Sequence, residues 1–307
     1  MATLGLGLAA LGRPGYMTLG HAGDLPGTSV EAMAAHASRM LDAAFDAGVR
    51  HFDVARSYGR GEGFLRAWLD ARRPAGVTVS SKWGYRYTAG WHTEADVHEV
   101  KDHSLAHLEA QWAESKAALG PWLGVYQIHS ATLESGVLSD GAVLDGLARL
   151  RDEEGVRVGL SVTGAQQAQA IDAARGITRG GRRLFDWVQA TWNVLEPSAG
   201  PALARAHAEG LKIILKEGVA NGRLTARGDV QEFLDEASAR GVSPDALALA
   251  AALAQPFATV VLSGAATPAQ LAENLAAHSV QLDPAELSRF ARPAEAYWRE
   301  RSTLRWT

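Results

Sequence analysis

Residues 51–83, HFDVARSYGRGEGFLRAWLDARRPAGVTVSSKW, hold one complete strand–helix–strand unit. His51–Ala55 reads as a strand, Glu62–Ala71 as a helix and Val77–Ser81 as the next strand. Upstream, Leu4–Ala9 is a strand followed by a helix over Ser29–Gly48. In that helix Met33, Ala37, Met40, Leu41, Ala44 and Phe45 fall on one face, and Gly48 suits the C-terminal exit. Downstream come a helix over His103–Leu119, with Leu105, Leu108, Trp112 and Leu119 at helical spacing, and a strand over Val125–His129. The second half repeats the scheme as helix Gly141–Glu154, strand Arg157–Ser161, helix Gln166–Arg175, strand Asp186–Thr191, helix Pro201–Glu209 and strand Lys212–Leu215. A helix over Val230–Ala239 and another opened by Ser243-Pro244 follow, proline suiting the first helical position. Strand Thr259–Leu262 and a helix opened by Thr267-Pro268 complete eight strands, each followed by a helix. That count predicts a single (β/α)8 barrel domain, a TIM barrel of the α/β class, over 1–307.

The strands are apolar throughout rather than alternating, as parallel strands buried on both faces should be. A doubly wound open sheet shares this local pattern, but its dinucleotide fingerprint should follow the first strand. Gly5-Leu6-Gly7-Leu8-Ala9-Ala10 puts alanine in the third glycine position and lies inside the strand, which favours the barrel. The chain of 307 residues is 47% hydrophobic with a net charge of -4, and its 30 basic residues are dispersed. Neither nucleic acid nor an anionic membrane is an expected partner. Without cysteine, thiolate nucleophiles, disulfides and cysteine metal sites are excluded, in keeping with a reducing cytoplasm. Leu4–Leu11 is too short and lacks the charged lead-in of a secretory signal, so a soluble, cytoplasmic protein is expected. No coiled-coil heptad demands association, and a monomer is the default.

A β/α barrel builds its active site at the C-terminal ends of its strands. Four ionisable residues stand there. Asp53 lies in the second strand with Tyr58 in the loop after it, Lys82 ends the third, and His129 ends the fourth. Taken singly, a strand-end lysine is usually solvated and a lone histidine or loop tyrosine is usually packing. Together they make a coherent machine. An ammonium beside a tyrosine stabilises the phenolate and lowers its pKa, Asp53 can aim Lys82, and His129 can donate to a carbonyl oxygen.

The segments Asp53-Val54-Ala55-Arg56-Ser57-Tyr58-Gly59, Ser81-Lys82-Trp83 and Gln127-Ile128-His129 resemble the motif series of the aldo-keto reductase family in order and spacing. The resemblance continues through Gly159-Leu160-Ser161, Val188-Gln189 and Glu273-Asn274, nearly the whole chain. It implies an NAD(P)(H)-dependent oxidoreductase that exchanges hydride with a carbonyl or alcohol substrate: an aldehyde, a ketone or a sugar. Tyr58 is then general acid and base, tuned by Lys82 and Asp53, with His129 orienting the carbonyl and no metal required.

The same resemblance places the nicotinamide amide against Ser161 and Gln189, and the adenosine end against Ser263, Gly264, Ala265, Thr267, Gln270, Glu273 and Asn274. This sequence departs from the family pattern at several points. Val162 stands where many members carry asparagine, and Lys216 where an aromatic ring usually stacks on the nicotinamide. Trp192 or Trp83 is left to supply that surface, while Lys216 is either a phosphate contact or a solvated lysine. Gly264 and Gln270 replace the Lys and Arg that clamp a 2′-phosphate in many relatives, so NADP(H) is the family default and NAD(H) its alternative. Thr267-x-x-Gln270 also matches a helix capping box.

Trp83, Tyr85, Tyr87 and Trp91 follow Lys82 in a loop where the fold builds pockets. Trp83 and Trp91, with Trp192, are candidate pocket walls or loop packing, and they suggest an apolar or ring-bearing substrate. His103 and His107 share a helical face at a metal-pair spacing, but without a carboxylate partner they read as solvated. Two other classes remain. One is a cofactor-sensing interaction protein, as with the potassium-channel beta subunits that share the fold. The other is a metal-dependent barrel hydrolase, for which only Asp53 and His129 qualify as ligands.

Overall fold

The structure, a computed structural model, describes residues 2–307. Eight strands close on themselves: β1 (Thr3–Gly7), β2 (His51–Asp53), β3 (Thr78–Trp83), β4 (Leu123–Ala131), β5 (Arg157–Val162), β6 (Trp187–Thr191), β7 (Lys212–Lys216) and β8 (Val260–Ser263). Every neighbouring pair is parallel, and the seam is shut by β1 against β8, Thr3 opposite Val260 and Leu6 opposite Ser263. Helices Val30–Asp46, Gly61–Arg72, Leu105–Leu119, Gly141–Glu153, Gln167–Arg175, Gly200–Ala208, Pro244–Leu253 and Pro268–Leu275 connect the strands. This is the (β/α)8 barrel, and the open sheet is ruled out. The caps follow their chemistry: the Ser29 and Ser243 hydroxyls accept from the amides of Ala32 and Ala246, with Pro244 opening its helix.

Three elements differ from the sequence expectation. The stretch after Lys82 is not a plain loop, because Tyr85–Tyr87 pairs antiparallel with Glu99–Lys101. A second short pair joins Thr178–Arg179 to Arg182–Arg183, and a helix over Ala294–Ser302 follows the barrel. Pairs of two or three residues are too short to show a period, and the final helix has little apolar surface to announce it.

Most apolar residues form the shell between barrel and helices, in two clusters built around Leu6, Phe52, Leu65 and Trp68 and around Tyr126, Leu160, Val188 and Leu247. Val125, Trp187, Ile214, Val260 and Leu262 make a third, smaller cluster, against which His51 packs with its ring 5.7 Å from that of Trp187. Beside Trp187 the space is made by glycine. A Cβ on Gly159 would stand 2.9 Å from both the Cβ and the carbonyl oxygen of Trp187, and the latter is backbone held in the ladder between β5 and β6.

Overpacking of a filled core typically costs about 1–3 kcal/mol. Gly159→Ala should therefore lower the midpoint of urea unfolding without changing the slope of the transition. A midpoint equal to that of the parent would show that the barrel has slack at this level.

Candidate active site

Asp53 is the anchor of the site. It is 2% exposed, and Lys82 Nζ, itself buried, donates to its Oδ2 at 2.5 Å. Its Oδ1 accepts from Ser80 Oγ at 2.6 Å, Gln189 Nε2 at 3.0 Å and Gln127 Nε2 at 3.5 Å. His51 Nε2 continues the chain to Ser80 Oγ at 3.1 Å. A charged pair out of water survives only with such partners, since desolvation otherwise exceeds the attraction. Lys82 Nζ also donates to Val54 O at 2.9 Å and reaches Tyr58 OH at 3.4 Å.

Tyr58 is placed by a tight turn. Its amide donates to Ala55 O, its carbonyl accepts from Gly61 N, and Arg56 N ties the turn to Lys82 O. The rings of Tyr58 and His129 meet edge to face at 5.6 Å, and that of Tyr85 meets His129 at 4.9 Å. Ser57 Oγ lies 3.5 Å from His129 Nδ1, and His103 Nε2 lies 2.9 Å from the His129 carbonyl oxygen. His103 is thus not a solvated helix residue, because the helix starts at Leu105 and His103 is spent against β4. Ser130, directly after His129, has φ +55 and donates its amide to Ser161 Oγ at 2.8 Å. This left-handed residue coincides with the break in register between β4 and β5 and turns the chain at the strand end.

Burial, reinforced by Asp53, holds the Tyr58 hydroxyl well above the ordinary phenol range, while Arg13 pulls the other way. This reverses the lowering expected from Lys82. The ammonium sits at 2.5 Å from Asp53 and only at 3.4 Å from Tyr58, so its charge is mostly answered before it reaches the phenol. Burial, with Lys82, Lys216 and Arg13 adding to it, keeps His129 well below its usual range and therefore neutral. Tyr58 and His129 thus each retain one proton to donate.

Both line a cavity of about 250 Å³ at the C-terminal end of the barrel, with Asp53, Gln189, Lys216 and Ser263. A second cavity of about 260 Å³ is lined by Gly264, Ala265, Thr267, Gln270, Glu273 and Asn274 from the β8 side, and by Thr225, Ala226 and Arg227 after β7. The two share Thr18, Val219 and Gly264 and so meet in one trench. The residues expected at the adenosine end are thereby brought together, Ser263 at the junction. Asn274 Nδ2 donates to Ser263 Oγ at 2.8 Å, while its buried Oδ1 has no partner. Thr267 caps its helix at Gln270 N, but the Gln270 side chain turns aside, accepting from Ala266 N and donating to Asp24. Ser161 is enclosed and engaged with Ser130 rather than lining the cavity.

Lys216 is not a solvated lysine. Its ammonium lines the first cavity, donates to Thr191 Oγ1 at 2.8 Å and lies 3.6 Å from Glu217. Trp83, Trp91 and Trp192 stand elsewhere. Trp83 is wholly buried in the outer shell, Trp91 packs on Phe64 and donates to Thr28 O, and Trp192 packs on Phe257. In their place the walls carry Arg13, Tyr16, Glu99, Asn221, Arg301 and Trp306. Arg13 bonds Glu99 at 2.6 Å, and Arg301 grips Glu217 through two nitrogens. Arg13 lies in the loop well past the end of β1 at Gly7, so the strand-end rule does not single it out. Glu99 and Trp306 come from the hairpin and the chain's last residues, and nothing local in sequence says that these return to the barrel mouth.

Among the described residues, no group of three or more His, Cys, Asp or Glu could hold a metal ion, and no helix is long and apolar enough to cross a membrane. The family model for the Aldo/keto reductase family matches residues 4–294. Among solved structures, the chain is similar to aldo-keto reductase AKR11C1 from Bacillus halodurans in its holo form, with TM-score 0.71 and 18% identity over 95% of this chain and 92% of that one. It is also similar to PA4992 of Pseudomonas aeruginosa, assigned as an aldo-keto reductase, with TM-score 0.65 and 23% identity over 91% of each chain. At these identities the structures speak for the fold alone. A search of curated proteins returns no match.

The buried histidines give stability a sign with pH. Burial lowers His21, His51 and His103 to about 4, so between there and the unfolded value near ~6.5 the unfolded chain binds more protons. Stability is therefore full above that window and is lost as pH falls through it. Asp245, raised to about 6, opposes this in part. The urea midpoint should fall between pH 7.5 and pH 5, the unfolding free energy losing roughly 2 kcal/mol for a wholly enclosed histidine such as His51. Equal midpoints would contradict the neutral buried state.

Proposed function

Because the chain belongs to the aldo/keto reductase family, we propose that it reduces small carbonyl compounds, or oxidises the matching alcohols, with Tyr58 as acid and base. The observation that carries this reading is the meeting of Tyr58 and His129, both holding a proton, at the floor of one cavity with the Lys82–Asp53 pair behind them. A carbonyl oxygen placed there accepts from the Tyr58 hydroxyl and from the neutral imidazole. As charge develops on that oxygen, Tyr58 gives up its proton and the oxygen becomes a hydroxyl. The phenolate left behind is answered by Lys82. In oxidation the proton returns to Tyr58.

The trench fits a nicotinamide dinucleotide. It is long enough to need two joined cavities, it lies at the loops after β7 and β8 where barrels hold phosphates, and Asn274 offers it an unpartnered acceptor. Bound there, the nicotinamide supplies or accepts the hydride. Gln189 and Lys216 would flank it at the catalytic end, and Gly264, Thr267 and Asn274 would hold the other. The charge of the outer cavity favours a bare 2′-hydroxyl over a 2′-phosphate. Arg227 is the cation among its lining residues and is doubly bonded to Asp24, while Asp245 and Glu273 face the same space. For the substrate, walls made of paired charges suit a neutral carbonyl compound rich in hydrogen-bonding groups better than a bare hydrocarbon chain.

Tyr58→Phe should lower the rate of cofactor-linked carbonyl reduction by about a hundred- to ten-thousandfold. Cofactor binding, read by quenching of tryptophan fluorescence, should persist. Near-parental turnover would sink the role given to Tyr58. In the same titration NADH should bind about tenfold more tightly than NADPH, a difference of roughly 1.4 kcal/mol. Tighter NADPH would overturn the charge argument.

A further inference from the structure

Arg13 takes no part in the chemistry above, yet it is 2% exposed and stands at the catalytic tyrosine. Its Nη1 donates at 3.0 Å to Ser57 O, the carbonyl of the peptide that joins Ser57 to Tyr58. The guanidinium carbon lies 5.1 Å from the centre of the Tyr58 ring and 4.6 Å from that of Trp306. Glu99 closes the other side at 2.6 Å, and Nε–H is enclosed without an acceptor. The backbone around it admits no play. A Cβ on Gly12 would stand 2.4 Å from Tyr58 O, and one on Gly59, at φ +58, would stand 2.7 Å from Gly12 O. Arg60 N donates to that same Gly12 oxygen at 2.8 Å.

An enclosed arginine is expensive to desolvate, and packing alone would be met by leucine or methionine. Glu99 answers part of that charge, and the reactive group nearest to the guanidinium is Tyr58.

We propose that Arg13, bracketed by Glu99, is a positioning residue for Tyr58: it fixes the tyrosine by peptide and ring, and its charge supports the phenolate formed when the proton leaves. The proposal rests on the reading of Tyr58 as the acid. Tyr58 is faced by Asp53 from β2, Lys82 from β3, His129 from β4, Glu217 after β7, Glu99 from the hairpin, and Arg13 and Tyr16 after β1. Arg13 favours the deprotonated form, whereas Asp53, Glu99 and Glu217 disfavour it.

Alcohol oxidation needs deprotonated Tyr58, so its rate should rise with pH to a plateau, and the midpoint of that rise reports the tyrosine. Arg13→Met removes the supporting charge. It should lower the plateau by about tenfold or more through misplacement of the acid, and move the midpoint to higher pH. Arg13→Lys keeps the charge without the planar grip, and should lose plateau rate with a midpoint closer to the parent. Glu99→Gln removes an opposing charge and should move the midpoint the other way, to lower pH. Cofactor dissociation constants, measured on the full chain, should stay close to the parent, while melting temperatures fall in Arg13→Met and Glu99→Gln, because each leaves one partner of the Arg13–Glu99 pair unanswered. If Arg13→Met does not fold, the direction given by Glu99→Gln decides. Midpoints that stay put, or that move in the same direction in Arg13→Met and Glu99→Gln, would reduce Arg13 to packing and overturn the proposal. A parent protein that binds cofactor but turns over no alcohol or carbonyl would instead remove the reading of Tyr58, and this proposal with it.

Discussion

A carboxylate with no access to water must be answered completely by its neighbours, and Asp53 imposes that requirement on the whole interior of the barrel. Three strands answer Asp53 on β2: β3 with Ser80 and Lys82, β4 with Gln127 and β6 with Gln189. The register of the strands is therefore also the register of the site. A shift of one residue along β3 would turn Ser80 and Lys82 out of the barrel and leave Asp53 unpaired, an outcome costing several kcal/mol. Fold and chemistry share one set of hydrogen bonds.

The same arrangement explains the protonation of the resting site. Burial holds the proton on the Tyr58 hydroxyl, whose neighbour Lys82 is committed to Asp53, and burial reinforced by the cations around it keeps the His129 ring neutral. Both groups stand ready to donate to an oxygen that gains charge, which is what the proposed carbonyl reduction requires. The outer cavity beside them sets the carboxylates of Asp245 and Glu273 against one arginine, Arg227, that is already bonded to Asp24.

How much of this was legible in the sequence divides along physical lines. The eight-fold alternation was readable because parallel strands enclosed on both faces leave continuous apolar runs, and caps such as Ser29 and Ser243-Pro244 act through neighbours three residues away. Asp53, Tyr58, Lys82 and His129 were readable because strand ends are fixed places in a barrel. Aromatic residues misled, since Trp83 and Trp192 are equally at home in the shell between strands and helices, where the structure puts them. Lys216 read equally as a phosphate contact or a solvated lysine, because its partner Thr191 belongs to another strand. The wall formed by Arg13, Glu99 and Trp306 was out of reach for the same reason: it joins segments far apart along the chain, and no periodicity records such a meeting.

The close approach of Gly12 to the Tyr58 turn also bears on motion. Two loops whose backbones touch without room for a methyl group move as one body, so the wall that carries the acid cannot act as a gate. The chain's last residues are tied to the same body, since Tyr16 and Thr307 exchange main-chain hydrogen bonds and Arg292 N, just before the helix Ala294–Ser302, donates to Leu195 O. The entrance beside Tyr58 is thus a fixed jamb rather than a hinged leaf.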